Sequence, residues 1–181
     1  MERKNFLIFI AVIFIAFLMG GCAGSKLKVE PIAKSENPTE QVNQVENEIN
    51  NARSGQLDVL APTWFGRAEA SYKDARKKLE AGDELSQILQ KVADGRAQLR
   101  RAEETSQLVK TVLEGSIKAR ERARAVGAAK LEGYGNAEGQ FIELSKAIEE
   151  NNLKYAQKNG PKVIRAFDEL ELLAIKDEAL G

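Results

Sequence analysis

The sequence has no histidine and only one cysteine, Cys22, in 181 residues. Without histidine the chain has no imidazole general base and no His-containing catalytic triad. A zinc site built from the usual His and Cys ligands and a disulfide within the chain are also excluded, because each needs more such side chains than the chain contains. Most familiar catalytic and metal-binding chemistries are therefore absent.

The sequence also lacks an excess of charge and is poor in aromatic residues. Its 27 Lys and Arg balance 27 Asp and Glu, so it has no basic surplus with which to neutralise phosphates, and we expect no nucleic-acid partner. Seven aromatic residues follow Cys22, which is few for the wall of a ligand pocket. We expect no cofactor and no small-molecule substrate.

One long apolar run is present, close to the N-terminus. Arg3 and Lys4 precede fourteen apolar residues, from Phe6 to Met19. A helix of that length rises about 21 Å, less than the roughly 30 Å of a membrane's hydrocarbon core. The pattern is typical of a cleaved export signal, and we assign residues 1–21 to a signal peptide. A short uncleaved anchor is the alternative.

The end of this run, Leu18-Met19-Gly20-Gly21-Cys22, resembles a bacterial lipobox, with Met19 where Leu is usual. The resemblance implies that Cys22 receives a diacylglycerol thioether and becomes the acylated N-terminus of the mature chain. Ala23 stands where enterobacterial lipoproteins of the inner membrane usually have Asp. This implies an anchor in the outer membrane, facing the periplasm, with the inner membrane as the alternative. If Cys22 is not lipidated, it is an incidental small residue behind an ordinary signal.

Residues 22–37 are predicted to form a lipidated, flexible tether. The stretch from Ala23 to Asn37 contains Gly, Ser, three Lys and Pro31, and it has no sustained apolar period. A flexible chain of this length has a root-mean-square span of about 20 Å. That is enough to lift a folded body clear of the lipid headgroups.

From residue 38 to residue 181 the pattern is helical, and no segment is typical of a strand. Asn37-Pro38-Thr39-Glu40 combines an N-cap acceptor, a proline at the first helical position and the carboxylate of a capping box. Apolar residues then recur every three or four positions in five stripes, separated at Ser54-Gly55, Gly82-Asp83, Gly133 to Asn136 and Asn159 to Pro161. The stripes are Val42 to Ala52, Phe65 to Leu79, Leu85 to Val126, Ala137 to Tyr155 and Val163 to Ala174.

The third stripe predicts one long helix from Glu84 to about Leu131, roughly 72 Å in length. Two successive three-residue steps, ending at Val112, shift this stripe sideways as a stammer does, without requiring a break. The first two helices would pack against the N-terminal half of this long helix, and the last two would pack against its C-terminal half. We therefore predict an all-α fold, an elongated helical bundle of about five helices around one long central helix, with close backbone packing at seam residues such as Gly95.

Charged residues have both a functional and a structural interpretation. The basic cluster from Lys118 to Arg124 could contact lipid phosphate or an acidic partner, but its side chains divide between two faces, as on a solvated helix. Acidic and basic residues four positions apart, such as Asp74 with Lys78 and Glu114 with Lys118, predict ion pairs along exposed faces. The solvated interpretation accounts for these residues without a binding site.

No catalytic, cofactor-binding or metal-binding residue is assigned. Carboxylates are abundant, but no Glu lies on the apolar stripes, and a buried di-metal bundle needs Glu and His there. Asn151, at a stripe position, could fix the register between helices. Cys22, as the lipidation site, is the only predicted site residue.

The Ala-rich segments resemble a family. Leu60-Ala61-Pro62, Ala68 and Ala75, and later the stretch from Ala119 to Ala128, are similar to the helical region of Gram-negative envelope lipoproteins. In longer members this region precedes an OmpA-like domain that holds peptidoglycan. No residue of this sequence matches that domain, so we carry its peptidoglycan-binding role to none.

Together these features predict a non-enzymatic, lipid-anchored envelope lipoprotein that spaces or scaffolds other envelope components. Its expected partners are the membrane and an envelope protein. A protein associated with peptidoglycan is one candidate for the latter. The alternative is an adaptor or pilot protein that binds one exported partner through its helical surface. An enzyme built on the abundant carboxylates is the third hypothesis.

Overall fold

The computed structural model describes residues 27–180, and this part of the chain is a helical bundle without strands. The predicted all-α helical class is confirmed. The proposed signal peptide, residues 1–21, and Cys22 lie outside the described residues. The helices are α1 (Pro38–Ser54), α2 (Leu57–Leu60), α3 (Pro62–Ala81), α4 (Leu85–Val112), α5 (Glu114–Ala125), α6 (Tyr134–Glu149) and α7 (Leu153–Leu180), with a 3₁₀ turn at Ala128–Lys130.

The helices form two three-helix bundles. In the N-terminal bundle α1 and α3 pack against α4, as the stripes predict. In the C-terminal bundle the prediction that both last helices pack against the end of the long helix is wrong in part, because α5 and α6 both pack against α7. Each bundle has its own hydrophobic core. The N-terminal core relies on small residues such as Ala68, Ala75 and Ala102 beside Phe65, whereas the C-terminal core is built around Phe141 and Phe167.

Gly95 lies in the seam of the N-terminal bundle, where close packing was predicted. A methyl group built on Gly95 would lie 3.6 Å from the carbonyl oxygen of Ala68, from Cβ of Ser71 and from Cγ2 of Val45. Those contacts come from both α1 and α3. The glycine therefore faces both α1 and α3, and a methyl group there would meet them at ordinary van der Waals distance.

The capping signals at the first helix are confirmed in part. Oδ1 of Asn37 accepts hydrogen bonds from the backbone N–H groups of Thr39 and Glu40, at 3.0 and 3.4 Å. The reciprocal half of a capping box is not formed, because the Glu40 carboxylate accepts instead from Gln44. At the end of α3, Gly82 takes the left-handed conformation with φ 72°, but Glu84 and not Asp83 precedes α4 as its N-cap.

The prediction of one unbroken helix from Glu84 to about Leu131 is wrong. The helix is interrupted at Leu113, which has φ −107° and ψ 22°, and α5 ends at Ala125. Leu113 and Val109 are both buried in the C-terminal core, while Val112, which the stripe assigned to the seam, is only partly buried. The buried seam therefore passes from Val109 to Leu113 and not from Val109 to Val112.

The boundary between the last two helices is also different from the prediction. Asn151 does not lie on a buried stripe; it is exposed and left-handed, with φ 61°. Its N–H bonds the carbonyl of Ile148, and the N–H of Asn152 bonds the carbonyl of Ala147. These two bonds form a Schellman motif, which ends α6 at Glu149. Oδ1 of Asn152 then accepts from the N–H of Tyr155 and caps α7.

The break predicted at Asn159-Gly160-Pro161 is absent, because α7 continues through Pro161. A proline inside a helix removes one hydrogen-bond donor from the backbone ladder. Other donors serve nearby carbonyls here. Nδ2 of Asn159 donates to the carbonyl of Tyr155 at 2.9 Å, and the hydroxyl of Ser116 in α5 donates to the carbonyl of Gly160 at 3.4 Å.

Candidate functional site

Cys22, the only site residue assigned from the sequence, lies outside the described residues, so its lipidation stays a prediction. The described part of the predicted tether begins at Leu27 and contains no helix or strand before Pro38. It lies against the body: Leu27, Val29 and Ile32 are half-buried, and the carbonyl of Lys28 accepts a hydrogen bond from Nη2 of Arg100 at 3.2 Å.

The polar centre of the described structure lies where the two bundles meet. Arg120 of α5 is only 4% exposed, and its Nε donates to Oε2 of Glu138 in α6 at 2.7 Å. A second bond runs from its Nη2 to the other oxygen of Glu138, so the pair is bidentate. The guanidinium also lies 5.6 Å from the ring centroid of Phe141. We call Arg120, Glu138 and Gln56 the junction cluster.

Gln56 connects this pair to the N-terminal bundle. It follows α1 in the left-handed conformation, with φ 62°, and its Oε1 accepts a hydrogen bond from Nη1 of Arg120. A non-glycine residue in this conformation is uncommon and is held there by its surroundings. Burial by itself would lower the pKa of the Arg120 guanidinium, but the hydrogen bonds and the charge of Glu138 raise it above its ordinary value. Arg120 is therefore a permanent buried cation.

A second polar contact joins the bundles at the start of α3. Ala61 precedes this helix and supplies no side-chain cap. The carboxylate of Glu149, at the end of α6, accepts from the N–H groups of Thr63 and Trp64 at 2.9 and 3.0 Å. An anion at a helix N-terminus satisfies free N–H groups and interacts favourably with the helix dipole. Glu149 thus caps a helix of the other bundle.

Tyr134 adds a buried hydroxyl with no hydrogen-bond partner among the described residues. Its ring packs edge-on against Phe167 of α7, with the centroids 5.7 Å apart. Burial raises the pKa of the Tyr134 phenol, the charge of Glu138 raises it further, and Arg120 and Arg124 oppose this rise. The phenol remains protonated at neutral pH.

A cleft of about 480 Å³ opens beside the junction cluster. Its walls include Arg53, Arg120, Arg124, Asp58 and Glu138. Arg120 is fully engaged with Glu138 and Gln56, and Arg53 pairs with Glu69. Within the cleft Arg120 and Glu138 therefore satisfy each other, and their contact with Gln56 fixes the two bundles relative to each other.

The basic cluster from Lys118 to Arg124 is not a uniformly solvated surface. Arg122 bonds Glu171 at 3.0 Å and also bonds Asp168, both on α7, and Arg120 is buried. Only Lys118 forms the predicted pair four residues away, with Glu114. The sequence interpretation missed the burial of Arg120, because its partners are 18 and 64 positions away along the chain.

Another predicted pair is replaced by a contact between helices. Asp74 of α3 bonds Lys91 of α4 at 2.9 Å and not Lys78, and this hydrogen bond lowers the pKa of the Asp74 carboxyl below its ordinary value. Lys78 instead bonds Asp83 at 3.1 Å. Asp74 therefore pairs with a neighbouring helix, and Lys78 pairs with the loop that follows its own helix, so neither forms the predicted pair along α3.

None of the helices within residues 27–180 is both long and apolar enough to cross a membrane. Within the same range, no three His, Cys, Asp or Glu side chains come together in a way that could hold a metal ion.

No family model, curated protein or solved structure matches this chain.

Proposed function

We propose that the protein is a non-enzymatic lipoprotein of the cell envelope, anchored through lipid on Cys22, which acts as a spacer or scaffold in the periplasm. The lipobox-like segment supports the anchor, and the helical body supports the scaffold. In this proposal the anchor lies in the outer membrane, and the body presents helical surfaces to an envelope protein.

The observation that carries the scaffold role is the pair of polar contacts between the bundles. A spacer transmits distance only if its parts keep their relative position. The junction cluster links the turn between α1 and α2 to α5 and α6 through the hydrogen bonds of the buried Arg120, and Glu149 links α6 to α3. The fold loses much of its stability when a buried charge is left without its partner, so these contacts resist separation of the bundles.

The contacts of residues 27–32 refine the geometry of the anchor. If Lys28 stays bound to Arg100, the free leash runs only from Cys22 to Lys28. Six fully extended residues span at most about 21 Å. The helical body, and not the tether, would then set the reach of the protein from the membrane.

The adaptor alternative has one supporting observation. A cleft of about 580 Å³ lies between α1 and α4, with Leu57 and Leu99 among its apolar lining and Glu48, Arg96 and Glu103 among its charged residues. Such a groove could receive a segment of an exported protein. A photo-crosslinking residue at position 103 would then capture one stoichiometric partner in cells, and the same residue at exposed position 110 would not. No stoichiometric product at position 103 would reject the adaptor role.

The anchor is tested by Cys22→Ser. We expect this variant to lose metabolic labelling with palmitate and to move from the membrane to the soluble periplasmic fraction, because the acylated sulfur is removed. Ser25→Ala is the matched control and should keep both the label and the membrane association. The helical circular dichroism signal of all three proteins should agree. Palmitate labelling or membrane retention that survives in Cys22→Ser would reject the proposed anchor.

A further inference from the structure

The last helix has apolar residues on two sides. Val163, Phe167, Leu170 and Ala174 are buried in the C-terminal core. On the same helix Leu172, Leu173 and Leu180 are 68%, 50% and 77% exposed. Helical residues are about 100° apart around the axis, so the exposed leucines centre about 130° away from the buried stripe. This second face has no partner within residues 27–180.

The exposed face carries charge in a definite order. Arg165, Glu169, Leu172, Lys176 and Leu180 follow one another at spacings of four, three, four and four, and all five are exposed. Neither Glu169 nor Lys176 forms an ion pair within the described residues, whereas the nearby Asp168 and Glu171 are both bonded to Arg122. Glu169 and Lys176 flank the two adjacent leucines symmetrically.

We propose that this face of α7, comprising Glu169, Leu172, Leu173, Lys176 and Leu180, binds a second copy of the same chain as an antiparallel helix pair. A two-fold axis between Leu172 and Leu173 places Leu172 of each copy against Leu173 of the other. The same axis brings Glu169 of each copy opposite Lys176 of the other. The interface is isologous, as in most two-fold dimers.

The charge order selects both the direction of pairing and the partner. A parallel pair in the same register would place Glu169 against Glu169 and Lys176 against Lys176, and like charges in contact are unfavourable. A membrane surface fits poorly. Residues 168–180 contain five acidic side chains and one basic side chain, whereas helices that lie on anionic lipid are rich in Lys and Arg on their polar face.

The expected association is weak. One helix face buries less than the roughly 1,200 Å² of a small stable interface, so we expect a dissociation constant in the micromolar range. This inference does not depend on lipidation of Cys22. If the protein is also an anchored scaffold, pairing of α7 would join two anchored copies.

The test is sedimentation equilibrium of the full chain in density-matched detergent. The wild type should show a reversible monomer–dimer equilibrium, and Leu172→Asp should remain monomeric. Leu108→Asp, at an exposed leucine of α4, is the matched control and should dimerise like the wild type.

Charge reversal tests the proposed register. Glu169→Lys should raise the dissociation constant about tenfold, because two attractive pairs become repulsive. Adding Lys176→Glu should restore the wild-type value. A monomer at all concentrations, or a dimer that Leu172→Asp and Glu169→Lys leave unchanged, would overturn the proposal. Dimerisation through the apolar N-terminal segment, or binding of the α7 face to lipid vesicles without dimerisation, would do so as well.

Discussion

Arg120 keeps its positive charge with almost no contact with water. The two oxygens of Glu138 and the amide oxygen of Gln56 accept the hydrogen bonds that compensate this buried charge. Removing one partner from a buried ion pair leaves an uncompensated charge, whereas replacing both partners by apolar residues is often close to neutral. We therefore expect the pair to contribute more to the specificity of the bundle junction than to net stability.

Arg120→Met should lower the free energy of unfolding by about 3–5 kcal/mol, because it strands the Glu138 carboxylate. Urea unfolding followed by circular dichroism measures the loss. The double variant Arg120→Met/Glu138→Met should recover most of it. Arg124→Met, at the exposed arginine one helical turn away, should change the free energy by less than about 0.5 kcal/mol. Equal losses in the single and double variants would show that the pair is not coupled.

Tyr134 illustrates the cost of an unpartnered buried hydroxyl. Tyr134→Phe keeps the contact with Phe167 and removes a polar group that lacks a hydrogen bond, so we expect stability to be unchanged or increased by up to about 1 kcal/mol. Tyr155→Phe, at an exposed tyrosine, is the control and should have no effect. A marked destabilisation by Tyr134→Phe in thermal unfolding would show that the hydroxyl has a partner.

The same substitution has a pH dependence with a definite sign. The pKa of the Tyr134 phenol is raised above its ordinary value of 10.0, so the folded protein holds this proton at a pH where the unfolded chain has released it. The titration of this phenol therefore leaves the free energy of unfolding unchanged below pH 10 and lowers it as the pH rises above that value. Part of the alkaline loss of stability should therefore disappear in Tyr134→Phe.

The buried faces of most helices follow from local patterns, but only some of the helix ends do, such as those of α1 and α3. Stripes at three- and four-residue spacing predicted the buried faces of α1, α3, α6 and α7, and Gly82 predicted the end of α3. Asn151-Asn152 was misinterpreted, although Asn is the usual substitute for Gly in a left-handed helix end. Pro161 was misinterpreted for another reason: tertiary contacts can keep a helix continuous through a proline that would end it in isolation.

Two glycines separate the effect of helix propensity on stability from the effect of a left-handed backbone conformation. Gly139 lies exposed inside α6 with open space where a side chain would project, so Gly139→Ala should stabilise the protein by about 0.5–1 kcal/mol through helix propensity. Gly82 also has open space but a φ of 72°. Gly82→Ala should therefore destabilise the protein by about 1 kcal/mol. Thermal unfolding of both variants measures these changes. Stability changes of the same sign in the two variants would contradict the assigned conformations.

At the scale of the whole molecule, two small cores are joined by polar contacts that no local pattern reveals. The sequence predicted two bundles, because each stripe needs a partner, but it did not predict how they are fixed together. Gln56, Arg120 and Glu138 come from three separate segments, and Glu149 reaches a helix start 85 and 86 positions earlier. Such contacts depend on the final arrangement of the helices. The proposed anchor, by contrast, depends only on a short local motif.

The most direct test of the proposed role is the mass of the mature protein purified from its native host. The account predicts a chain that begins at Cys22, lacks residues 1–21 and carries a diacylglycerol group on the sulfur. Fragmentation of the N-terminal peptide should place all of the added mass on Cys22. A chain that still begins at Met1, or a processed chain whose first residue bears no lipid, would contradict the account.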